Sequence, residues 1–183
     1  VSYYGRVRGW PFVLSWLHRL TGQGVVLFVW FHLYTLNSLL TPATYDAKMH
    51  FYDLPLLRFG EWLLSLPVLL HAFNGGRLIL YESFRFRNDE DLIRWTIGLV
   101  ILFSGLLAIL MISGSQEVSA PFFWMMALSA ALVLVFGGGM RIWRTENTLT
   151  WKAQRLSSLF LMVMVPAHLL FMHLNPEAAR ESN

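Results

Sequence analysis

A histidine within an apolar run is the residue of this sequence best placed for redox chemistry. His71 lies in the apolar run 63–80 and is followed by Gly75, Gly76 and Arg77. Imidazole can bind a metal at membrane depth, glycines let a bulky group approach the backbone, and the arginine lies about 9 Å further along a helix at roughly 1.5 Å per residue. This reach suits a flat cofactor held by its metal at one end and by its carboxylates at the other. Haem b is such a cofactor, and histidine is a usual axial ligand for it.

Two further histidines fall inside apolar runs, where ionisable side chains are rare and usually functional. His32 follows Arg19 by 13 residues, and His168 follows Arg155 by the same 13 residues. Both helices run in the same direction, so we predict the two histidines at matching depth, roughly 20 Å below one membrane edge. Each is a candidate haem-iron ligand, and the other interpretation is a hydrogen-bonded core histidine.

The remaining histidines lie nearer the ends of the apolar runs. His173 is close to the end of the last run and favours an interfacial position, while His50 falls in a polar stretch and is predicted to be solvated. His18 and Arg19 follow Ser15 at the mouth of the first run. They are either an interfacial pair whose stems lie in the bilayer or a polar pocket for a quinone carbonyl or a haem propionate.

The composition is that of a membrane protein. The chain has 183 residues, of which 56% are hydrophobic and 14% charged, and its mean hydropathy is +0.51. There is no cysteine, which excludes disulfides and Cys-ligated zinc or iron–sulfur clusters within this chain. The first apolar run is longer than a signal-peptide core, so we expect no cleaved signal peptide.

Five apolar runs reach the length of about 20 residues that a spanning helix needs. We therefore predict an all-α membrane protein in which residues 1–183 form a single transmembrane domain. Its helices are expected at about 12–40, 58–82, 93–112, 121–143 and 151–174, with loops at 41–57 and 83–92.

An odd number of spans puts the two ends of the chain on opposite sides of the membrane. Of the 14 basic residues, only Lys48, Arg58 and Arg180 fall on the far side from the N-terminus. The positive-inside rule then predicts a multi-pass protein of the inner (cytoplasmic) membrane with its N-terminus in the cytoplasm.

Two motifs resemble those of the cytochrome b membrane-anchor subunit of succinate dehydrogenases and fumarate reductases. Residues 15–22 read Ser-Trp-Leu-His-Arg-Leu-Thr-Gly and resemble the family motif Ser-x-x-His-Arg-x-[Ser/Thr]-Gly. The segment His71-x-x-x-Gly75-x-Arg77 resembles the haem-ligand motif of that family. The five-span layout is similar to that of its single-chain anchors, which usually hold two haems, and residues 154–157 resemble the start of their last helix.

The resemblance implies a respiratory-chain subunit that holds a flavoprotein and an iron–sulfur subunit on the cytoplasmic face and passes electrons between them and membrane quinone through haem b. It implies Ser15 and Arg19 at the quinone, His18 and Arg77 at haem propionates, and His71 as an axial ligand. FAD, the iron–sulfur clusters and the chemistry at succinate would belong to the partner chains, because this chain has no Gly-rich dinucleotide motif.

The ligand pattern departs from the two-haem anchors of that family. Ala108 and Val135 stand where the third and fourth helices of those anchors carry ligands. Three pairings remain: His32 with His168, one haem between His71 and His168, or a ligand supplied to this chain by a further small anchor subunit.

Two other function classes share some of these features. One is the cytochrome b subunit of a different membrane-bound dehydrogenase, such as a formate- or hydrogen-oxidising enzyme, although that class does not explain Ser15, His18 and Arg19. The other is a non-redox membrane scaffold or small transporter whose histidines only form hydrogen bonds.

Overall fold

The fold is a bundle of long helices. The computed structural model describes residues 9–84, 86, 88–113 and 118–174, and all regular structure within these residues is helical. Five of the helices are long and apolar enough to cross a membrane, as predicted. The helices are α1 (Trp10–Asn37), α2 (Pro42–Tyr52), α3 (Pro55–Phe84), α4 (Asp89–Ser113), α5 (Ala120–Trp143) and α6 (Leu149–Leu174), and a 3₁₀ turn (Ser38–Leu40) follows α1.

The helix starts follow from local chemistry. Proline occupies one of the first two positions of α1, α2 and α5, where its missing N–H costs nothing and its fixed φ suits a helix. In α4 the first turn carries Asp89, Glu90 and Asp91, whose charges complement the positive end of the helix dipole. The predicted loop 83–92 is therefore shorter than expected, because α3 extends to Phe84 and α4 already begins at Asp89.

The prediction of a loop over residues 41–57 is wrong. Most of that segment forms the short helix α2, and Pro55 opens α3 three residues earlier than predicted. The prolines and charges in this segment were interpreted as loop signals, but Pro42 stands at a helix start, and Ala, Lys and Met within the segment are good helix formers.

Helix α3 lies at the centre of the bundle and packs against α1, α4 and α6, while α5 packs mainly against α6. Glycines allow the close approach. A Cβ at Gly76 would lie 2.0 Å from the sulfur of Met162, and one at Gly138 would lie 2.6 Å from a methyl group of Leu159. Gly76 thus lets α6 pack closely on α3, and Gly138 lets α6 pack closely on α5. Helix α1 packs on α3 as well.

The antiparallel order of the spans brings most basic side chains to one end of the bundle. We call it the basic end. Within the described residues it is formed by the start of α1, the end of α3, the start of α4, the end of α5 and the start of α6, and its cations are Arg19, Arg77, Arg94, Arg141, Arg144, Lys152 and Arg155.

Candidate functional site

Two histidines meet face to face near the basic end. The rings of His18 on α1 and His71 on α3 are parallel, with 1° between their planes and 4.1 Å between their centroids. Two imidazoles that ligate one iron from opposite sides have centroids roughly 6 Å apart, since each metal–nitrogen bond is about 2 Å and each nitrogen lies about 1 Å from its ring centre. The stacked arrangement is therefore not that of two axial ligands sharing an iron.

A repeated His-x-x-x-Gly pattern makes this stack possible. His18 is followed four residues later by Gly22, and His71 by Gly75. A Cβ at Gly22 would lie 2.9 Å from Cε1 of His71, and one at Gly75 would lie 3.6 Å from Cε1 of His18. Each imidazole thus lies over the glycine that follows the other histidine, and the two antiparallel helices clasp each other reciprocally.

Replacing Gly22 with alanine is expected to lower the stability of the protein. The new methyl group would overlap the ring of His71, which is rigid, and overpacking of this kind costs about 1–3 kcal/mol. Gly24→Ala is the matched control, because no atom lies within 4 Å of a Cβ at that position and both substitutions gain the same helix propensity. Unfolding in detergent by denaturant, followed by circular dichroism, measures the difference. Equal midpoints for the two variants would contradict the clasp.

The hydrogen bonds of the stack leave one nitrogen of His71 free to act as a metal ligand. Nδ1 of His71 lies 3.1 Å from the carbonyl oxygen of His18 and 3.5 Å from the hydroxyl of Thr21. A carbonyl oxygen can only accept, so Nδ1 carries the hydrogen and Nε2 keeps its lone pair. Metal-binding histidines usually donate their other N–H in this way.

His18 differs from its neighbour in having an unused polar atom. Its Nδ1 is buried and has no hydrogen-bond partner among the described residues. A buried nitrogen in this condition is costly. It marks a position where an acceptor or donor from a bound molecule would be stabilising.

The second pair of histidines lies further along the bundle. His32 on α1 and His168 on α6 have their ring centroids 6.2 Å apart, with 79° between their planes. The predicted matching depth of these two residues is therefore confirmed. Aromatic rings surround the pair, with Phe28 stacked on His32 at 5.7 Å and Trp124 beside His168 at 6.5 Å.

The separation of 6.2 Å is close to that of two imidazoles which bind one metal ion from opposite sides. An edge-to-face contact of two aromatic rings has a similar spacing, so the distance is compatible with both. Among the described residues the ring contacts of His168 are with His32 and Trp124, and none is with His71. Of the three pairings considered above, the geometry brings together the two histidines of the first.

The other two histidines take the positions expected of them. Nδ1 of His173 lies 2.7 Å from the carbonyl oxygen of Leu169, and its Nε2 lies 3.7 Å from a carboxylate oxygen of Glu61 at the end opposite the basic end. His50 is exposed on α2.

Ser15 and Arg19 lie on α1, one turn apart at the basic end. The guanidinium of Arg19 lies over the ring of Trp16, 5.4 Å from its centroid. Within the part of the chain that the structure describes, neither the hydroxyl of Ser15 nor the guanidinium of Arg19 has a hydrogen-bond or ion-pair partner. Their donors are therefore available to a ligand.

The counterpart of Arg19 on α6 is not available in this way. Arg155 lies over the ring of Trp151, 5.1 Å from its centroid, and repeats the arginine–tryptophan contact of α1. In contrast to Arg19, it forms an ion pair with Glu82 of α3. Arg19 and Arg155 thus share their contact with a tryptophan, but of the two only Arg155 is neutralised by a carboxylate among the described residues.

Arg77 is buried in a polar network. Its Nε donates to the side-chain oxygen of Asn74 at 2.8 Å, and its Nη1 pairs with Asp89. The side-chain nitrogen of Asn74 lies 3.4 Å from the carbonyl oxygen of Leu14.

Sequence reasoning missed several residues of these sites. Asn74, Asp89 and Thr21 contact the predicted residues but were not singled out, and the role of the glycine in the first motif was not recognised. The signal that could have revealed the clasp is the His-x-x-x-Gly pattern shared by residues 18–22 and 71–75. No sequence signal links Asn74 to Leu14, because that contact depends on how α1 and α3 are rotated against each other.

The fold and the two half-buried histidine pairs define a helical membrane protein with five candidate spans and two pairs of neighbouring imidazoles. Comparison with known proteins narrows this class. The profile of the family described as the succinate dehydrogenase/fumarate reductase transmembrane subunit matches residues 5–111, more than half of the chain. The chain therefore belongs to this family.

A curated relative agrees with that assignment. The succinate dehydrogenase 2 membrane subunit SdhC of Mycobacterium tuberculosis is 35% identical to this chain over 98 residues, which cover 52% of this chain and 72% of the relative. No solved structure matches the chain. The family match includes both motifs and His32, whereas His168 lies beyond it. Of the three function classes considered from the sequence, the match favours the membrane-anchor subunit of a succinate dehydrogenase or fumarate reductase.

Proposed function

We propose that this chain is the cytochrome b anchor of a succinate:quinone oxidoreductase and that its buried histidines bind haem b. The observation that supports this most strongly is the pair His32 and His168, whose ring centroids are 6.2 Å apart on two apolar helices. A lone histidine in an apolar helix is compatible with a structural role, and a second histidine at a spacing compatible with a shared metal ion supports ligation.

His71 offers a second position for haem near the basic end. Its Nε2 is free because Nδ1 donates to the carbonyl oxygen of His18, and the unpartnered Nδ1 of His18 can meet a propionate. The second axial ligand at this position would come from a further small anchor subunit. His18 lies 14 residues from His32 along α1, so the two positions are about 20 Å apart at roughly 1.5 Å per residue.

The quinone is proposed to bind at the basic end, beside Ser15 and Arg19. A hydroxyl and a guanidinium that have no hydrogen-bond or ion-pair partner among the described residues supply hydrogen bonds to the carbonyl oxygens of a quinone, and the surrounding apolar surface accepts its tail. Reduction to the quinol takes two electrons and two protons. Haem b, when bound, carries single electrons. The protein's part is to hold the carbonyl oxygens and keep them at the membrane edge, where water can supply the protons.

The partner subunits are proposed to dock on the basic end. The excess of arginine and lysine there supports a location of this end on the cytoplasmic face of the inner membrane, by the positive-inside rule. A flavoprotein with FAD would oxidise succinate or reduce fumarate, and an iron–sulfur subunit would connect it to this chain. Four of the cations at this end are exposed, namely Arg19, Arg94, Arg141 and Arg144.

The haem content of the purified complex tests this proposal. We expect at least one haem b per chain by pyridine haemochrome analysis, together with reduction of quinone by succinate. A complex that contains this chain, transfers electrons from succinate to quinone and shows no b-type absorption would overturn the haem assignment. A complex with haem but no succinate-dependent reduction of quinone would overturn the quinone assignment.

A further inference from the structure

Arg77 is a buried cation close to the proposed haem position at His71. Its side chain is 4% exposed, and it lies six residues after His71 on α3, about 9 Å along the helix axis at roughly 1.5 Å per residue. Charges in the protein interior are screened far less than charges in water. The way in which Arg77 is neutralised therefore affects any group that gains or loses an electron at His71.

Asp89 supplies the neutralising charge. Its carboxylate pairs with Nη1 of Arg77, and its place in the first turn of α4 puts it where the helix dipole favours a negative charge. Among the described residues no other carboxylate pairs with Arg77.

Asn74 fixes the position of this ion pair relative to the histidine stack. It is fully buried, accepts from Nε of Arg77 and lies within hydrogen-bonding distance of the carbonyl oxygen of Leu14 on α1. Asn74 follows His71 by three residues, and Leu14 precedes His18 by four. The polar network that joins α1, α3 and α4 thus lies about one helical turn from the stacked imidazoles.

We propose that Asp89 tunes the reduction potential of the haem at His71 by neutralising Arg77, and that Asn74 positions the pair for this purpose. The inference rests on the proposed function. An uncompensated cation near a redox centre stabilises the reduced form, which carries one more negative charge, and so raises the potential. Asp89 removes this effect and holds the potential lower than Arg77 alone would set it.

Redox titration of the purified complex, followed by the b-type absorption, tests the role of Asp89. We expect Asp89→Asn to shift the midpoint potential of one haem component to more positive values and Asp89→Glu to restore it. The component held by His32 and His168 is about 20 Å further along the bundle at 1.5 Å per residue and is expected to stay unchanged.

Asp91→Asn is the matched control. Asp91 lies in the same first turn of α4 and also pairs with an arginine, Arg94, but the two side chains are 53% and 76% exposed. Solvent screens such a pair, so its removal is expected to leave both potentials unchanged. A shift as large in Asp91→Asn as in Asp89→Asn would mean that the potential responds to the overall charge of this end, and it would overturn the inference.

A charge-neutral double variant covers the case in which Asp89→Asn does not assemble because it leaves Arg77 unpaired. In Arg77→Gln/Asp89→Asn both charges are absent, and we expect a midpoint potential near that of the wild type. A potential displaced to positive values in the double variant contradicts the inference. If Asp89→Asn assembles and its haem potential is not shifted, the inference is overturned and the proposed function stands. A wild-type complex without haem would overturn both.

Discussion

His168→Ala is expected to remove one haem b per chain from the complex. In the proposed arrangement His168 and His32 ligate the same iron, and alanine leaves one axial position without a protein ligand in an apolar surrounding formed by Phe28 and Trp124. Loss of a metal ligand is a large effect, and we expect the haem of this position to be absent from the purified protein rather than weakened. Pyridine haemochrome analysis and the reduced-minus-oxidised spectrum measure it.

The same helix offers a matched control in His173→Ala. His173 lies five residues further on, and its ring interacts with Leu169 and Glu61 instead of a second histidine. We expect this variant to retain its full haem content. Equal loss of haem in the two variants would show that the effect reports general damage to α6, and full haem content in His168→Ala would exclude His168 as a ligand.

A double variant separates the possible pairings of ligands. If His32 and His168 bind one iron, then His32→Ala, His168→Ala and the double variant all lose the same single haem, because residues that act as a unit are not additive. If the two histidines served different haems, the double variant would lose more than either single variant. The haem at His71 is expected to remain in all three.

The five spans and the matching depth of His32 and His168 were predictable from the sequence. Apolar length alone located five helices, since the bilayer fixes how many residues a span needs. The equal spacing from Arg19 to His32 and from Arg155 to His168 predicted their matching depth, because axial rise along a helix is constant. Both predictions concern the position along the helix axis, which sequence spacing reports directly.

The lateral arrangement was not predictable in the same way. The stack of His18 on His71, the contact of Asn74 with Leu14 and the pairing of Arg77 with Asp89 depend on how the helices are rotated and which of them are neighbours. Sequence periodicity carries little of this information here, because apolar residues cover nearly all faces of these helices and so do not distinguish the buried side from the lipid side. The short helix α2 was missed for a different reason, since proline is compatible with both a loop and a helix start.

Arg19→Leu is expected to reduce the quinone-dependent activity of the complex by about 10- to 100-fold in kcat/KM for quinone. The guanidinium of Arg19 is held over Trp16 and has no carboxylate partner within the described residues, so its hydrogen bonds are proposed to go to the quinone. A hydrogen bond from a charged donor contributes about 1.5–3 kcal/mol, and every 1.4 kcal/mol corresponds to about a tenfold change. Steady-state reduction of quinone by succinate measures the loss, and reduction of a soluble electron acceptor by the same sample should be unchanged.

Arg155, the counterpart of Arg19 on α6, supplies the control for this substitution. Arg155 repeats the contact with tryptophan but is neutralised by Glu82. Glu82→Gln/Arg155→Gln therefore removes an ion pair whose charges cancel, together with a buried Nε that has no hydrogen-bond partner among the described residues. We expect quinone reduction in this double variant to stay close to that of the wild type, because the quinone is proposed to bind on α1 and the charge of Arg155 is already neutralised by Glu82. If the α6 double variant lost as much quinone reduction as Arg19→Leu, the two arginines would be equally important for the activity. The binding site proposed beside Ser15 would then be wrong. A difference between the two variants would instead show that an unpaired guanidinium, and not an arginine at the membrane edge as such, is what the quinone requires.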